Sequence, residues 1–233
     1  MKILNYFKSV LKRPQKDSES IFYENLFIEN IHWNTPEPND EEALRWDIIK
    51  SFLHHLQINE GFSIQSNILD LGCGRGWLTN LLSDFGNVKG IEPVSGVVKY
   101  AKSLFPKQDI IAGDSKTLLR SNKNLKNYDL IVASEVIEHI EDVDKNDFVN
   151  DINMLLKEKG YVIITTPRKE AEIDWLKYSN PNQPIEDWMT EQNVEELFLH
   201  GGFIPLQKMR FSIPPTASAP LIEIYQLWLF KRK

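Results

Sequence analysis

The sequence predicts an α/β fold, with a parallel sheet covered by helices on both faces. Apolar runs such as 130–133 and 161–164 lack the polar alternation of half-exposed strands, which is typical of strands buried on both faces. These runs alternate with segments whose apolar residues recur at helical spacing. A chain of 233 residues can bury one sizeable core, so we expect one such domain at 59–233, preceded by a helical cap at 1–58.

Composition limits the binding partners and the cellular location that we expect. The formal net charge is −6 and the pI is near 5.5, so the chain has no overall positive charge that would attract a polyanion. This argues against DNA as a partner and makes RNA an unfavoured one. The single cysteine, Cys73, excludes an internal disulfide and a cysteine zinc cluster. No apolar run approaches a membrane span, and no signal peptide is recognised. We therefore expect a soluble, cytoplasmic protein.

The cap is predicted to contain two helices. The first is short, basic and amphipathic, and it either docks on the protein itself or lies on a membrane or a partner. An aromatic, acidic stretch follows and is broken by the proline-containing segment 34–39. Asp40 is then expected to cap the second helix. The apolar face of that helix consists of Leu44, Ile48, Ile49, Phe52 and Leu53.

The segment 66–86 predicts a strand, a tight turn and a helix. Gly72, Gly74 and Gly76 alternate directly after the strand 66–71, and this density suits a backbone that approaches a ligand closely. Dinucleotide-binding loops have the spacing G-x-G-x-x-G, and here Trp77 stands where their third glycine would fall. The spacing therefore disfavours a dehydrogenase.

Polar residues follow the next three predicted strands, 88–92, 109–114 and 128–133. Glu92 lies 20 positions after Gly72, where a strand-end carboxylate can accept from both hydroxyls of a ribose. Because the carboxyl ends of parallel strands meet at one edge of a sheet, we expect these polar residues to line one crevice. They are Glu92, Asp114, Ser115, Ser134, Glu135, Glu138 and His139.

The C-terminal third completes the predicted sheet. A helix that includes Phe148 and Leu156 is expected to end at Gly160, before the strand 161–167. The segment 168–189 is too long for a simple connector and is predicted to be a substrate-side insertion. Thr190 is expected to cap the last helix. Two final strands, about 203–211 and 221–230, predict an antiparallel hairpin.

The pattern Asp70-x-Gly72-x-Gly74-x-Gly76 resembles motif I of the class I S-adenosylmethionine (SAM)-dependent methyltransferases. Glu92, Asp114 and the segment 135–139 follow in the order of that family, so the resemblance covers about 66–230. It implies a Rossmann-like, seven-stranded methyltransferase sheet and SAM as the cofactor. The segment 135–139 is also similar to that of the ubiquinone-biosynthesis O-methyltransferases, which act on small molecules.

The resemblance also implies roles for individual residues. The glycine loop is expected to wrap the methionine end of SAM, Glu92 to bind the ribose and Asp114 the adenine amino group. The cap is expected to cover this cleft, with Trp33 and Arg45 either facing the ligand or only packing within the cap. The expected cofactor-binding residues are Asp70, Gly72, Cys73, Gly74, Gly76, Glu92, Pro93, Asp114, Ser115 and Ser134.

His139 and Glu135 are the candidate catalytic residues. Imidazole titrates near neutral pH, so His139 could take the proton of a hydroxyl acceptor, although it could instead cap or pack under the next helix. Glu135 is expected to hydrogen-bond the substrate or to support the site. The expected function is methyl transfer from SAM to a small-molecule acceptor, at an oxygen. The candidate acceptor-pocket residues are Trp33, Trp175, Tyr178 and Trp188.

Two alternatives remain open. The pattern Glu135-x-x-Glu138-His139 resembles the metal-binding segment of small-RNA 2′-O-methyltransferases, which also require a second, downstream histidine. The next histidine here is His200, at the far end of a helix, so no metal site is assigned. The other alternative is a non-catalytic partner protein that keeps the fold, and the complete glycine loop argues against lost cofactor binding.

Overall fold

A computed structural model describes residues 18–120 and 124–233. The basic amphipathic helix predicted at the N-terminus lies outside these residues. Within them, the structure contains no helix with both the length and the apolar character needed to cross a membrane.

Among the described residues, seven strands form one sheet, as predicted, and their order is β3-β2-β1-β4-β5-β7-β6. The first five are parallel, and β7 runs antiparallel to both β5 and β6. The strand order reverses between β1 and β4, and in such sheets the ligand crevice lies at the carboxyl ends beside the reversal. The strands are β1 (Asn67–Leu71), β2 (Asn87–Glu92), β3 (Asp109–Ala112), β4 (Tyr128–Ser134), β5 (Leu156–Pro167), β6 (Phe203–Ile213) and β7 (Ile222–Arg232).

Helices cover both faces of the sheet. Helices α2 and α3 pack in one hydrophobic cluster, whereas α5, α6 and α8 pack in the other. A π-helical turn, Asn25–Glu29, continues α1. The helices are α1 (Ser18–Glu24), α2 (Asp40–Asn59), α3 (Trp77–Leu82), α4 (Ser95–Leu104), α5 (Ser115–Leu119), α6 (Lys145–Leu155), α7 (Glu172–Trp175) and α8 (Glu191–His200).

Successive residues of the central strands enter opposite clusters, because side chains alternate across a strand. Leu130 packs with α2 and α3, while its neighbour Ile131 packs with α6 and α8. Both side chains are fully buried. Burying each such side chain stabilises the fold by roughly 1.5–3 kcal/mol. This explains the continuous apolar runs in the sequence.

The predicted start of α2 and the predicted end of α6 were wrong. Asn39, not Asp40, caps α2: the Asn39 side chain accepts from the Glu42 backbone at 2.9 Å, and Glu42 Oε2 accepts from the Asn39 backbone at 2.9 Å. This reciprocal pair satisfies two helix-end donors. Helix α6 ends at Leu155 rather than at Gly160, because Leu156 already pairs with Tyr128 beside an irregularity in the β4–β5 register.

The cap region packs directly on the sheet. The buried face of α2, which includes Ile49, Phe52 and Leu53, belongs to the same hydrophobic cluster as β4 and β7. Helix α1 and the π-helical turn contact α4. The division at residues 58 and 59 stays a prediction.

Candidate active site

A cavity of about 940 Å³ opens at the carboxyl ends of the parallel strands. This volume is within the range of small-molecule sites. Every predicted catalytic and cofactor-binding residue lines it except Gly76. Gly76 lies behind the loop, with φ of 85° at the N-cap of α3, and a Cβ there would come within 2.7 Å of Ile110 Cδ1.

The glycine loop requires glycine at its first position for two reasons. Gly72 has φ of 77°, a conformation that other residues rarely adopt. A Cβ on Gly72 would also lie 2.5 Å from Val136 Cγ2, in the segment after β4. The backbone nitrogens of Gly72 and Cys73 both donate to Ile91 O, at 2.9 and 3.0 Å. The loop is therefore held between the ends of β2 and β4.

Glu92 points toward this loop. Its Oε2 accepts from the Gly74 backbone at 3.2 Å, and its Oε1 accepts from the Val94 backbone at 2.9 Å. The side chain is buried at the cavity wall, and burial raises its pKa to about 7. Each carboxylate oxygen can accept a further hydrogen bond, so the group can still bind a vicinal diol.

Asp70 and Cys73 are buried groups of the same wall. Asp70 Oδ2 accepts from Thr79 Oγ1 at 2.6 Å, which ties β1 to α3, and burial raises the pKa of Asp70 to about 7. Burial also raises the pKa of the Cys73 thiol well above its usual value. A neutral thiol is a poor nucleophile. Cys73 therefore acts here as a small residue in a crowded turn.

Asp114 and Ser115 line the cofactor end of the cavity. Asp114 Oδ1 caps α5 by accepting from the Thr117 backbone at 2.7 Å, and the Ser115 hydroxyl donates to Asp151 at 2.6 Å. Although partial burial opposes it, the hydrogen bonds from Thr117 lower the pKa of Asp114. Strand β3 ends before Asp114, at Ala112, so Asp114 belongs to a cap rather than to the strand predicted for it.

Sequence reasoning missed Arg75, which lies between two loop glycines and is fully buried. Its guanidinium binds Glu42 through two contacts of 2.6 Å and donates to Thr35 O at 2.7 Å and Glu37 O at 3.1 Å. Bidentate pairs of this kind are strong and directional. Arg75 therefore joins the glycine loop to the start of α2. A cation inside a glycine loop, together with an acidic first helical turn, was the signal available.

The segment 18–29 lies over the loop. A Cβ on Gly74 would come within 3.1 Å of Phe27 Cζ. Tyr23 stacks on Phe27 with ring centroids 6.2 Å apart, and its ring meets His139 edge-on at 6.0 Å. This segment therefore covers both the glycine loop and the candidate base.

His139 has a defined orientation. Its Nδ1 lies 2.9 Å from Ile185 O. A carbonyl can only accept, so Nδ1 carries the hydrogen and Nε2 is the unprotonated nitrogen of the neutral ring. Nε2 lies 3.8 Å from Glu138 Oε1. The ring lines the cavity and can receive a proton at Nε2.

The insertion is attached to the segment that carries His139. The Asp187 backbone donates to Glu138 O at 2.8 Å, and Lys145 Nζ contacts the Asp187 carboxylate. Lys145 is buried. Sequence reasoning missed Lys145, Asp187 and the Ile185 carbonyl, since a backbone carbonyl leaves no trace in residue type.

Glu135 occupies a strained position at the end of β4, with φ of 56°. This backbone region costs a residue other than glycine roughly 1–2 kcal/mol. Its Oε1 accepts from Thr165 Oγ1 at 2.8 Å, and its Oε2 lies 3.5 Å from Arg45 Nη2. Burial raises the pKa of Glu135 to about 8. Ser134 Oγ lies 3.0 Å from Thr165 Oγ1 and completes this corner.

Arg45 and three of the four predicted acceptor-pocket residues line the cavity. Arg45 is 3% exposed, donates to Glu41 at 2.6 Å and places its guanidinium 4.8 Å from the Tyr225 ring centroid. Tyr178 was a wrong prediction, because it is 46% exposed and does not line the cavity. The tryptophans are Trp33, Trp175 and Trp188.

The segment 135–139 does not form a metal cluster with other described residues. Between 18 and 120 and between 124 and 233, no group of three or more His, Cys, Asp and Glu side chains is arranged to hold a metal ion. Glu135 is instead engaged by Thr165 and lies near Arg45.

A model of the methyltransferase domain family matches residues 26–208. The ubiquinone biosynthesis O-methyltransferase of Rickettsia typhi is 31% identical over 179 residues, which cover 68% of this chain and 70% of that protein. The mitochondrial ubiquinone biosynthesis O-methyltransferase of Rattus norvegicus is 38% identical over 111 residues, which cover 44% of this chain. That match spans only 31% of the rat protein's length.

A solved structure supports the same fold. The 1,6-didemethyltoxoflavin-N1-methyltransferase of Burkholderia thailandensis, with bound 1,6-didemethyltoxoflavin and S-adenosylhomocysteine, aligns with a TM-score of 0.63 at 18% identity. The alignment covers 92% of this chain and 87% of that one. The chain therefore belongs to the class I SAM-dependent methyltransferases, with SAM as its cofactor.

Proposed function

We propose that this methyltransferase transfers the methyl group of SAM to a hydroxyl oxygen of a small molecule, with His139 as the general base. The observation that carries the proposal is the contact of His139 Nδ1 with Ile185 O, 2.9 Å long. It fixes the ring and leaves Nε2 free to accept a proton at the cavity wall. A base is useful only for an acceptor that must lose a proton, such as a hydroxyl.

The residues present fit SAM. The backbone of the loop at Gly72 and Gly74 lines the cavity, and Glu92 offers its carboxylate beside that loop. Asp114 and Ser115 would hold the adenosine end. The buried carboxyl groups of Asp70 and Glu92 suit a cationic ligand. When bound, SAM supplies an electrophilic methyl group on a sulfonium.

The chain's own residues then position the acceptor and move one proton. The acceptor hydroxyl passes its proton to His139 Nε2, and Glu138 Oε1 lies 3.8 Å from that nitrogen. Tyr23 and Phe27 exclude water from above. Displacement at a methyl group depends mainly on alignment, and the base adds a factor of roughly 10²–10⁴.

The cavity's charge supports a small acceptor rather than RNA. Carboxylates are numerous along its wall, whereas Arg45, Arg75 and Lys116 are the lysines and arginines among its described lining residues. Such a wall repels a phosphate backbone. The names of the Rickettsia and rat relatives also specify an oxygen acceptor. A cytoplasmic location fits a chain whose one cysteine is a buried thiol.

The test combines calorimetry with SAM and a methyl-transfer assay on a panel of catechols. His139→Ala should lower kcat by about 10²–10³ and leave the Kd for SAM within about twofold, because the base acts only on the acceptor. His200→Ala is the matched control, since His200 is exposed at the end of α8. Unchanged turnover in His139→Ala would remove the base from the mechanism.

A further inference from the structure

We propose that the acceptor of this site carries a protonated amine in addition to the oxygen that is methylated, and that Glu186 receives the amine. This inference rests on the proposed function and narrows its substrate class to amino alcohols and amine-bearing phenols. It is carried by the charges, the unpartnered polar atoms and the aromatic side chains of the acceptor wall.

The acceptor wall has more carboxyl groups than cationic groups. Glu41, Glu135, Glu138 and Glu186 line it, and Arg45 is the cation placed among them within the described part of the chain. The other two cations that line the cavity lie elsewhere. Arg75 is bound to Glu42, and Lys116 is exposed on α5 at the cofactor end.

These carboxyl groups also affect one another. Burial is the main reason that the pKa of Glu138 rises to about 8, and the negative charge of Glu186 adds to the rise. Burial likewise raises the pKa of Glu135, and Glu138 raises it further. Each group therefore resists ionisation beside its neighbours. A cationic ligand would relieve this repulsion, and it would do so most strongly in a water-poor cavity.

Individual atoms at the wall indicate the ligand's polar groups. Glu186 Oε1 accepts from Trp188 Nε1, but Glu186 Oε2 is shielded from solvent and has no hydrogen-bond partner among the described residues. In the same part of the chain, Arg45 Nε and Trp175 Nε1 are buried donors without a partner. Leaving such a group unpaired costs about 1–3 kcal/mol. The wall thus matches a ligand with a donor for Glu186 and an oxygen for the two N–H groups.

Aromatic rings complete the match to an amine. Trp33, Trp175 and Tyr23 line the same cavity. Ring faces attract organic cations, and sites for amines are commonly built from aromatic side chains. A carboxylate on the acceptor would have to approach a wall that is rich in carboxyl groups and would make ionisation of Glu135 and Glu138 still less favourable. A hydrocarbon chain would leave Glu186 Oε2 and Arg45 Nε unpaired.

The test compares three catechols that share the ring and a short side chain and differ in the charged group at its end. Dopamine carries a protonated amine, 4-ethylcatechol is neutral and 3,4-dihydroxyphenylacetate is anionic. Calorimetry at pH 7 on the full chain loaded with S-adenosylhomocysteine should show dopamine binding at least tenfold more tightly than 4-ethylcatechol, with the anion weakest. Equal affinities, the reverse order or no binding of dopamine would overturn the inference.

A methyl-transfer assay distinguishes the proposal of an amine-bearing acceptor from the proposed oxygen methylation on which it rests. Oxygen methylation of 4-ethylcatechol and dopamine with equal kcat/KM would keep the proposed function and reject the amine. Methylation of dopamine at nitrogen, identified by mass spectrometry, would reject the oxygen acceptor and keep the amine. Oxygen methylation with at least a tenfold preference for dopamine would support both.

A variant pair tests the assignment to Glu186. Glu186→Gln should reduce the ratio of the dopamine affinity to the 4-ethylcatechol affinity at least fivefold, because it removes the charge and keeps the size. Glu196→Gln is the control, since Glu196 is exposed on α8 and does not line the cavity. Calorimetry with S-adenosylhomocysteine checks that each variant is folded. An unchanged ratio in folded Glu186→Gln would reject Glu186 as the receiving group.

Discussion

The cofactor half of the cavity and its acceptor half are built in different ways. We define the cofactor half by the loop 72–76, Glu92 and Asp114, which lie at the ends of β1, β2 and next to β3. Its contacts run through the backbone, as in the N–H groups of Gly74 and Val94 that bind Glu92. Each of these three parts of the cofactor half can therefore be predicted from a short stretch of sequence.

The acceptor half is defined by Arg45, Glu135, His139, Trp175 and Glu186. These residues come from α2, the end of β4 and the insertion after β5, so stretches far apart in sequence supply one wall. Its contacts are made by side chains, or by a side chain with a distant carbonyl. The comparison teaches that a site built from backbone contacts depends on short stretches of sequence, whereas a wall built from side chains depends on stretches that are far apart.

The largest expected effect concerns the ion pair that joins the halves. Arg75→Met would leave Glu42 buried without its partner, since the two side chains are 0% and 2% exposed. Breaking a buried pair in this way costs about 3–5 kcal/mol. Urea denaturation should show this loss in the free energy of unfolding.

Two controls sharpen that result. Arg75→Met combined with Glu42→Gln should be more stable than Arg75→Met alone, because no unpaired charge remains and glutamine still fits the helix cap. Lys177→Met, in an exposed pair with Asp174, should leave the denaturation midpoint unchanged. Equal stability of the single and double variants would contradict the account of Arg75.

Gly72→Ala should come next in size and should break the cofactor half. The new Cβ would lie 2.5 Å from Val136 Cγ2 at a positive φ, so the loop has to move. We expect roughly 5- to 150-fold weaker binding of SAM by calorimetry, since overpacking typically costs 1–3 kcal/mol. Gly61→Ala is the matched control, because Gly61 has φ of 71° but nothing within 4 Å of the new Cβ. Equal SAM affinities for the two variants would show that the contact with Val136 is unimportant.

Lys145→Met should affect the acceptor half alone. Losing the contact with Asp187 would loosen the insertion whose Ile185 carbonyl orients His139. We expect kcat to fall about tenfold while the Kd for SAM stays within about twofold, because alignment is what changes. Lys157→Met, in the pair with Asp129, is the control away from the cavity. A parallel loss of SAM affinity in Lys145→Met would indicate a general structural role instead.

The last expected effect is on the pH dependence of stability, measured as a slope per pH unit. Burial raises the folded-state pKa of Glu138 from 4.5 to about 8. The folded state therefore binds more protons than the unfolded state between these values, and the free energy of unfolding falls as pH rises from about 4.5 to 8. Glu138→Gln should make this fall shallower, by at most about 1.4 kcal/mol per pH unit.

Urea denaturation at pH 5, 6, 7 and 8 measures that slope. Glu141→Gln, at an exposed position near Glu138, is the control and should retain the slope of the unchanged chain. The substituted amide can still accept from Thr166 Oγ1, so the hydrogen bond at 3.0 Å need not be lost. Identical slopes in all three proteins would contradict the role assigned to Glu138.

Much of the fold could be predicted from the pattern of apolar residues and glycines alone. The ends of β1 and β2 were predicted to within a residue, because a doubly covered strand must be continuously apolar and glycines must follow β1. The errors arose where another contact competed. Leu156 belongs to β5 rather than to the predicted helix, because it pairs with Tyr128. Asn39 rather than Asp40 is the cap, because the Glu42 side chain accepts a hydrogen bond from the Asn39 backbone.

The sequence by itself determined the sheet, the glycine loop and the carboxylate that faces it, since these depend on periodicity and on backbone conformations open mainly to glycine. Only the tertiary structure decided that Arg75 binds Glu42, that a carbonyl of the insertion orients His139 and that four glutamates share one wall with Arg45. These contacts join residues that are far apart in the chain. Their partners are selected by packing, and packing leaves no local pattern.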